Sequence, residues 1–347
     1  MPQIIGHVLN DERHPVPNAR VSLKGRQVAE TGADGFFAVK VAKPESRIAL
    51  TFAAEGYVPN TKVFDSAATG TNAVALWPVA YRVTFDPSRD LDVGLGSSRI
   101  RVPARALAGA GMERPGSAAT LRFTLFDVTS RQQRAAAPGD FSGRLLDRGI
   151  RRLSSYGIFD LGISDSAGRP LGLRPDARID LSISVPRRLA DSAPQRVGFF
   201  DFDTGAGLWN QVGTFELART TLTYNGTVTS FGGAHNLDDP QDTVCVTLKV
   251  QSIWGYAIPF ASVTAHGLQY DSSGTTDANG LVCLLVQRNA SFSAGAFATV
   301  GTSHYTSAPL AQQSFTSPDF SSGAGSCGDP ALCPLVGTLL VDLIVGL

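Results

Sequence analysis

The residues of this 347-residue chain best equipped for covalent chemistry are four cysteines, Cys245, Cys283, Cys327 and Cys333, all in its last third. An even number confined to one segment, two of them inside a Gly/Ser/Pro-rich loop, points to disulfides and an oxidising compartment. Zinc is the rival reading, but Cys-x-x-Cys spacing is missing. Three pairings are open to four cysteines. Cys327 with Cys333, closing a short surface loop, and Cys245 with Cys283, joining two strands, are the expected ones.

Other polar groups suggest less. Asp201-Phe-Asp203-Thr-Gly205 is spaced like the start of a calcium loop, but Val212 stands where the twelfth-position carboxylate belongs. A hairpin turn with Trp209 packed on the return strand is expected, with calcium as the alternative. Asp238, Asp239 and Asp242 read as a solvated acidic linker stiffened by Pro240. Arg144, Arg148, Arg151 and Arg152, flanked by Asp140 and Asp147, read as a mixed solvated face in preference to a site for acidic polysaccharide. His7, His14, His235, His266 and His304 are scattered. The sequence has no Gly-x-Ser-x-Gly elbow, no His-Glu-x-x-His helix and no Gly-rich loop leading into a helix, so hydrolase and nucleotide-binding readings lose support. No residue is assigned a catalytic, cofactor-binding or metal-binding role. His304-Tyr305-Thr306 resembles the self-cleavage tripeptide of certain receptor domains, but an ordinary strand end is expected. Trp209, Trp254 and Tyr256 remain as aromatics that could face a glycan or peptide, the last two in a loop before Pro259.

The elements carrying these residues are strands. Thirty basic and thirty acidic residues cancel, leaving no field to attract nucleic acid or an anionic membrane. Charged residues make up 17% of the chain, Gly and Pro number 36 and 20, and 43% is hydrophobic, a composition for turn-rich β structure with real cores. No stretch reaches the ~20 apolar residues of a membrane helix. The apolar tail from Leu335 to Leu347, interrupted by Asp342, is expected to be a buried strand. No signal-peptide pattern opens the sequence. The cysteines favour an extracellular or cell-surface protein whose leader is absent from this sequence over a cytoplasmic one.

A repeat organises the ends. Ala19, Val21 and Leu23 alternate with polar neighbours, as a half-buried strand does. Pro17-x-Ala19-x-Val21 is matched by Pro259-x-Ala261-x-Val263, offset by 242, and Thr31-x-x-Asp34-Gly35 by Thr276-x-x-Asn279-Gly280, offset by 245. Three residues were therefore added in one connection. The Asp-Gly and Asn-Gly pairs are read as hairpin turns. Between the repeats, strand patterns at residues 121–128, 158–164, 179–185, 197–202, 213–218 and 221–228 predict a larger sandwich.

The run Gly6-x-Val8, Pro17-x-Ala19-x-Val21-x-Leu23, Thr31-x-x-Asp34-Gly35-Phe36 and Glu55-Gly56-Tyr57 resembles the carboxypeptidase regulatory-like domain. The second copy, with Leu281-Val282-Cys283 after its turn, resembles a cysteine-bearing version of it. The order Val102-Pro103-Ala104, Ser155-Tyr-Gly157-Ile-Phe159, Asp165-x-x-Gly168 and Asp203-x-Gly205 before Trp209 is similar to the central region of cartilage intermediate layer proteins and their bacterial relatives. The first resemblance implies a transthyretin-like sandwich of about seven strands with a folding, spacing or interaction role and no peptidase activity. The expectation is an all-β chain of three sandwiches in tandem, at 1–80, 81–240 and 241–347. Its expected role is non-enzymatic: structural or adhesive, with self-association through β edges. Glycan or peptide binding is the alternative, and a hydrolase whose residues meet only in space the second.

Overall fold

The computed structural model describes residues 3–42, 47–64, 71–109, 117–146, 149–240, 242–300, 303–307, 313–318, 327, 330 and 333–343. Its architecture is all-β. The only α-helix among the described residues is Arg131–Ala136, capped by the Ser130 hydroxyl, which accepts from the Gln133 amide.

The amino-terminal part builds seven principal strands into two leaves. Gln3–Leu9 is central in one, pairing antiparallel with Phe36–Lys40 and parallel with Thr71–Ala75. The other runs in the order Arg26–Glu30, Arg20–Leu23, Ile48–Ala53, Asn60–Phe64. Alternate residues of both leaves, among them Val8, Val21, Phe37 and Phe52, fill a core of their own. The turn at Asp34-Gly35 is not a hairpin. Its flanking strands belong to different leaves, so it is an arch that carries the chain across the core.

The carboxy-terminal part repeats the registers of this plan, but its two leaves join through Ser303–Thr306 and Leu335–Leu343 into one eight-stranded sheet. Ile4 faces Val39 as Val246 faces Leu284, and Arg20 faces Glu30 as Ser262 faces Thr275. The first strand again has a parallel neighbour, here Leu335–Leu343 beside Thr243–Ser252. The apolar tail is thus a strand as far as it is described, with Leu339 and Val341 buried. A shared network fixes both arches. Thr31 Oγ1 donates to Val16 O and accepts from Ala19 N, and Thr276 Oγ1 does the same with Ile258 O and Ala261 N, all at 2.7–2.8 Å. Gly35 and Gly280 both have positive φ, and a Cβ on either would lie 2.5–2.6 Å from a carbonyl oxygen of the facing strand. Only glycine fits there.

The middle part is one eleven-stranded sheet. Its path runs through Tyr81–Phe85, Ala119–Phe126, Gly149–Asp165, Gly233–Pro240, Arg196–Asp203, Leu208–Ala218, Thr223–Val228, Ile179–Ser184, Ser98–Val102 and Leu91–Leu95, with Ser142–Leu145 beside it. The sheet folds over on itself. Gly157 of the third strand packs on Ile183 of the eighth, and Tyr81 at one end of the order lies against Gly96 near the other. The buried face is aromatic, with Phe123, Phe159, Phe199 and Phe215 in a chain of ring contacts. This core is continuous with that of the carboxy-terminal sandwich, whereas the amino-terminal core is separate.

Two expectations of solvated charge fail here. Asp238 and Asp239 lie within strand Gly233–Pro240, a central strand of the middle sheet, and not in a solvated joint. Asp238 is fully buried, and its carboxyl group accepts from Ser155 Oγ (2.9 Å) and Asn236 Nδ2 (2.8 Å). Of the arginine run, Arg144 and Arg151 are exposed, but Arg152 is buried. It donates to Asp140 O and to Ser272 Oγ (3.3 Å), across two parts of the chain. Asp147 and Arg148 lie outside the described residues.

Candidate functional site: an aromatic loop and the groups around it

The loop that follows the first strand of each end sandwich is built alike. In the amino-terminal copy, Asn10 N donates to His14 O, Arg13 N donates to Asn10 O, and Asn10 Oδ1 accepts from His14 N. In the carboxy-terminal copy, Ser252 N donates to Tyr256 O, Gly255 N donates to Ser252 O, and Ser252 Oγ accepts from Tyr256 N. Arg13 and Gly255 both have positive φ, as do Asn18 and Phe260 at the far end of the loop.

The side chains differ completely. Asp11, Glu12, Arg13, His14 and Asn18 occupy one loop; Ile253, Trp254, Gly255, Tyr256 and Phe260 occupy the other. Ile253, Trp254, Tyr256 and Phe260 are 45%, 59%, 73% and 48% exposed. The backbone therefore needs none of these apolar groups, since its twin forms with charged ones. Phe260 even sits in the left-handed region, which a bulky residue occupies at a cost and Asn tolerates. The loop thus exposes four large apolar side chains, one of them on a left-handed backbone.

Trp209 is different. It is fully buried, edge-on to Phe202 at 4.9 Å between ring centroids, with its Nε1 near Gly139. It is a core residue and cannot face a ligand. Its position on the return strand of the turn at 201–205 is the one expected. The two carboxylates of that turn are separately engaged: Asp203 Oδ1 accepts from Gly205 N and Ala206 N, while Asp201 accepts from His235 Nδ1 at 2.7 Å and Ser230 Oγ at 3.2 Å.

His235, Asp201 and Ser230 share the residue types of a catalytic triad but not its order. The serine bonds the aspartate, and His235 Nε2 is buried without a partner between Phe159 and Phe199. No described hydroxyl is placed for activation by that ring. His304-Tyr305-Thr306 lies in strand Ser303–Thr306, paired on one side with residues 297–300 and on the other with Leu343 and Asp342.

The four cysteines form two disulfides, but not in the expected pairing. Cys245 bonds Cys327 and Cys283 bonds Cys333. Cys245 and Cys283 lie on adjacent antiparallel strands yet face Leu285 and Thr247, so they are diagonal and not opposed. Of the residues before the last strand, Pro334 O accepts from Thr247 N and Pro330 O from Thr247 Oγ1, both at 2.8 Å, beside the strands that carry Cys245 and Cys283.

A group of charges also gathers where the three sandwiches meet, and motif spacing gives no hint of it. Arg134, from the short helix, is 2% exposed; it donates to Val128 O, Leu268 O and Gly267 O, and approaches Asp271 at 3.5 Å. His266 Nδ1 is 2.7 Å from the same carboxylate. Lys62 of the amino-terminal sandwich donates to Ala137 O, and Arg47 pairs with Asp140 at 2.6 Å. Burial lowers the Lys62 ammonium to about 8, partly opposed by Asp271 and Asp140. The added residues in the repeat were the available signal. They fall in the hairpin at 266–270, where the first copy has only Lys24-Gly25, and supply Gly267, Leu268 and Gln269 to the junction.

Neither a family model nor a curated protein matches the chain. Among solved structures it is similar to the Bacillus anthracis TIE protein, with 11% identity and a TM-score of 0.19, covering 99% of this chain and 50% of that one. It is also similar to BcpA, the major pilin subunit of Bacillus cereus (8%, TM-score 0.19, 98% of each chain). A third is a C-terminal fragment of the pilus adhesin SpaC from Lactobacillus rhamnosus GG (9%, TM-score 0.18, 65% of this chain and 90% of that one). The chain spans half the length of the first of these. Superpositions this loose carry no argument about function.

Proposed function

We propose that this chain is a non-enzymatic structural or adhesive protein of the extracellular space or cell surface, a subunit of a larger assembly, and that it meets its partner through the loop at 253–260. The observation that carries this reading is the internal control: one backbone loop occurs twice, charged in one copy and aromatic in the other. Aromatic side chains on a rigid turn give large contact area at small entropic cost. Two disulfides in the same sandwich favour an oxidising setting. The register shared by both ends supports the reading of each as a carboxypeptidase regulatory-like sandwich, a scaffold for spacing and contact.

Planar Trp254 and Tyr256 rings suit a sugar face or a protein surface, and the two are separable. A glycan array is run beside size-exclusion chromatography and electron microscopy of the protein at high concentration, each with Trp254→Ala/Tyr256→Ala. A glycan signal abolished by the double substitution identifies a saccharide partner; concentration-dependent particles abolished by it identify self-assembly. Both signals absent, or both indifferent to the substitutions, would sink the proposal.

A further inference from the structure

We infer that the cavity where the three sandwiches meet is a binding site for a small oxyanion, separate from the aromatic loop and independent of its role. The cavity measures about 380 Å³, within the range of roughly 300–1,000 Å³ usual for small-molecule sites. Lys62 and Asn72 of the first sandwich, Arg134 and Asp140 of the middle, and Thr264 and His266 of the last all line it. Its wall is shared among all three bodies.

Its charges do not balance. Among the described residues two buried cations, Arg134 and Arg152, and the half-buried Lys62 converge on the junction beside the exposed Arg47, and two carboxylates answer them, Asp140 and Asp271. Asp140 is taken by Arg47; burial raises its carboxyl, but Arg152 and Arg47 outweigh that and hold it below the usual carboxylate range. Asp271 is taken by His266 and Arg134, which outweigh its burial in the same way. Lys62 is left with a single neutral acceptor, Ala137 O, for three donor protons. A half-buried ammonium without a carboxylate of its own is costly beside two buried guanidinium groups, and a bound anion is the direct remedy. Hydroxyls of Thr264 and Ser273 add neutral donors on the cavity wall, so the chemistry recognised is an oxyanion: a sulfate, a phosphate or the carboxylate of an acidic sugar.

The experiment is isothermal calorimetry on the full chain at constant ionic strength, with sodium sulfate, sodium phosphate, sodium glucuronate and glucose as separate titrants. Saturable binding of at least one anion and none of glucose is expected, weakened tenfold or more in Lys62→Met. Affinity should also fall as pH rises through about 8, where Lys62 loses its proton. The groups facing Lys62 across the junction are Asp140, Asp271, His266, Arg134, Arg152 and Arg47. Ser273→Trp, at an exposed position on the wall, blocks the space while keeping every charge and serves if Lys62→Met fails to fold. Glucuronate binding more tightly than inorganic anions identifies a sugar acid; equal binding identifies the free anion. No saturable heat with any anion, or affinity unchanged in both variants, overturns the site.

Discussion

The two end sandwiches share their register, their arch and the hydrogen bonds of their first loop, yet they are built out differently. The amino-terminal copy has a private core and no cysteine, and its loop carries charge. The carboxy-terminal copy runs its core into the middle sheet, carries both disulfides, lengthens one hairpin by three residues and dresses its loop with aromatics. Everything that differs lies outside the shared network. A seven-stranded, two-leaf frame thus tolerates change at hairpin tips, sheet edges and loop side chains, and there the second copy carries its disulfides and exposed aromatics.

The strongest way to break the comparison is to remove what only the second copy has. Replacing all four cysteines by serine frees loops of 82 and 50 residues, each worth about 4 kcal/mol by chain entropy. Hydrogen exchange should accelerate in residues 243–300 while the strands of 3–64 keep their protection; equal loss at both ends would show that the copies do not unfold separately. Next comes Arg134→Met, which strips two carbonyls of the added hairpin and Asp271 of their partner. A loss of about 3–5 kcal/mol is expected in chemical denaturation, against under about 1 kcal/mol for Lys24→Met in the shorter hairpin of the first copy.

Asp238 sharpens the contrast between joint and core. Its carboxyl is pushed well above the usual range, first by burial. The folded value exceeds the unfolded one, so its contribution is complete below about pH 4 and drains away as pH rises through the folded value. Asp238→Asn cannot titrate. In denaturant melts its stability should match the wild type near pH 4 and exceed it increasingly toward pH 7, by about 1.4 kcal/mol for each pH unit climbed below the folded value. A constant difference across that range would refute a neutral buried acid. The smallest effect belongs to the loop. Phe260→Asn restores the residue of the first copy at the same left-handed position and should gain about 1 kcal/mol in thermal melts. Exchanging Ile253-Trp-Gly-Tyr256 for Asp-Glu-Arg-His should change stability by less than about 0.5 kcal/mol while abolishing partner binding.

Much of the frame was legible. Period-two alternation at Ala19, Val21 and Leu23, and the paired Thr-x-x-Asx-Gly turns, are local signals, and the offsets of 242 and 245 reappear unchanged in the strand registers. Trp254 and Tyr256 were legible as loop aromatics because Gly255 and Pro259 bracket a turn. Less accessible were the arches, since Asp-Gly supplies positive φ equally to a hairpin and to a crossing between leaves. Asp238 misled because three acidic residues beside a proline look like solvent-facing chain; only Ser155 and Asn236, 83 and 2 residues away, make its burial tolerable.

The amino-acid order by itself determined an all-β chain, its duplicated ends and the places where it turns, because these follow from side-chain alternation and backbone torsion over a few residues. Only the tertiary structure decided which cysteines meet, which tryptophan is wet and which charges share a cavity. Each of those depends on which strands become neighbours in space, and a parallel final strand or a sheet folded onto itself leaves no mark in local sequence.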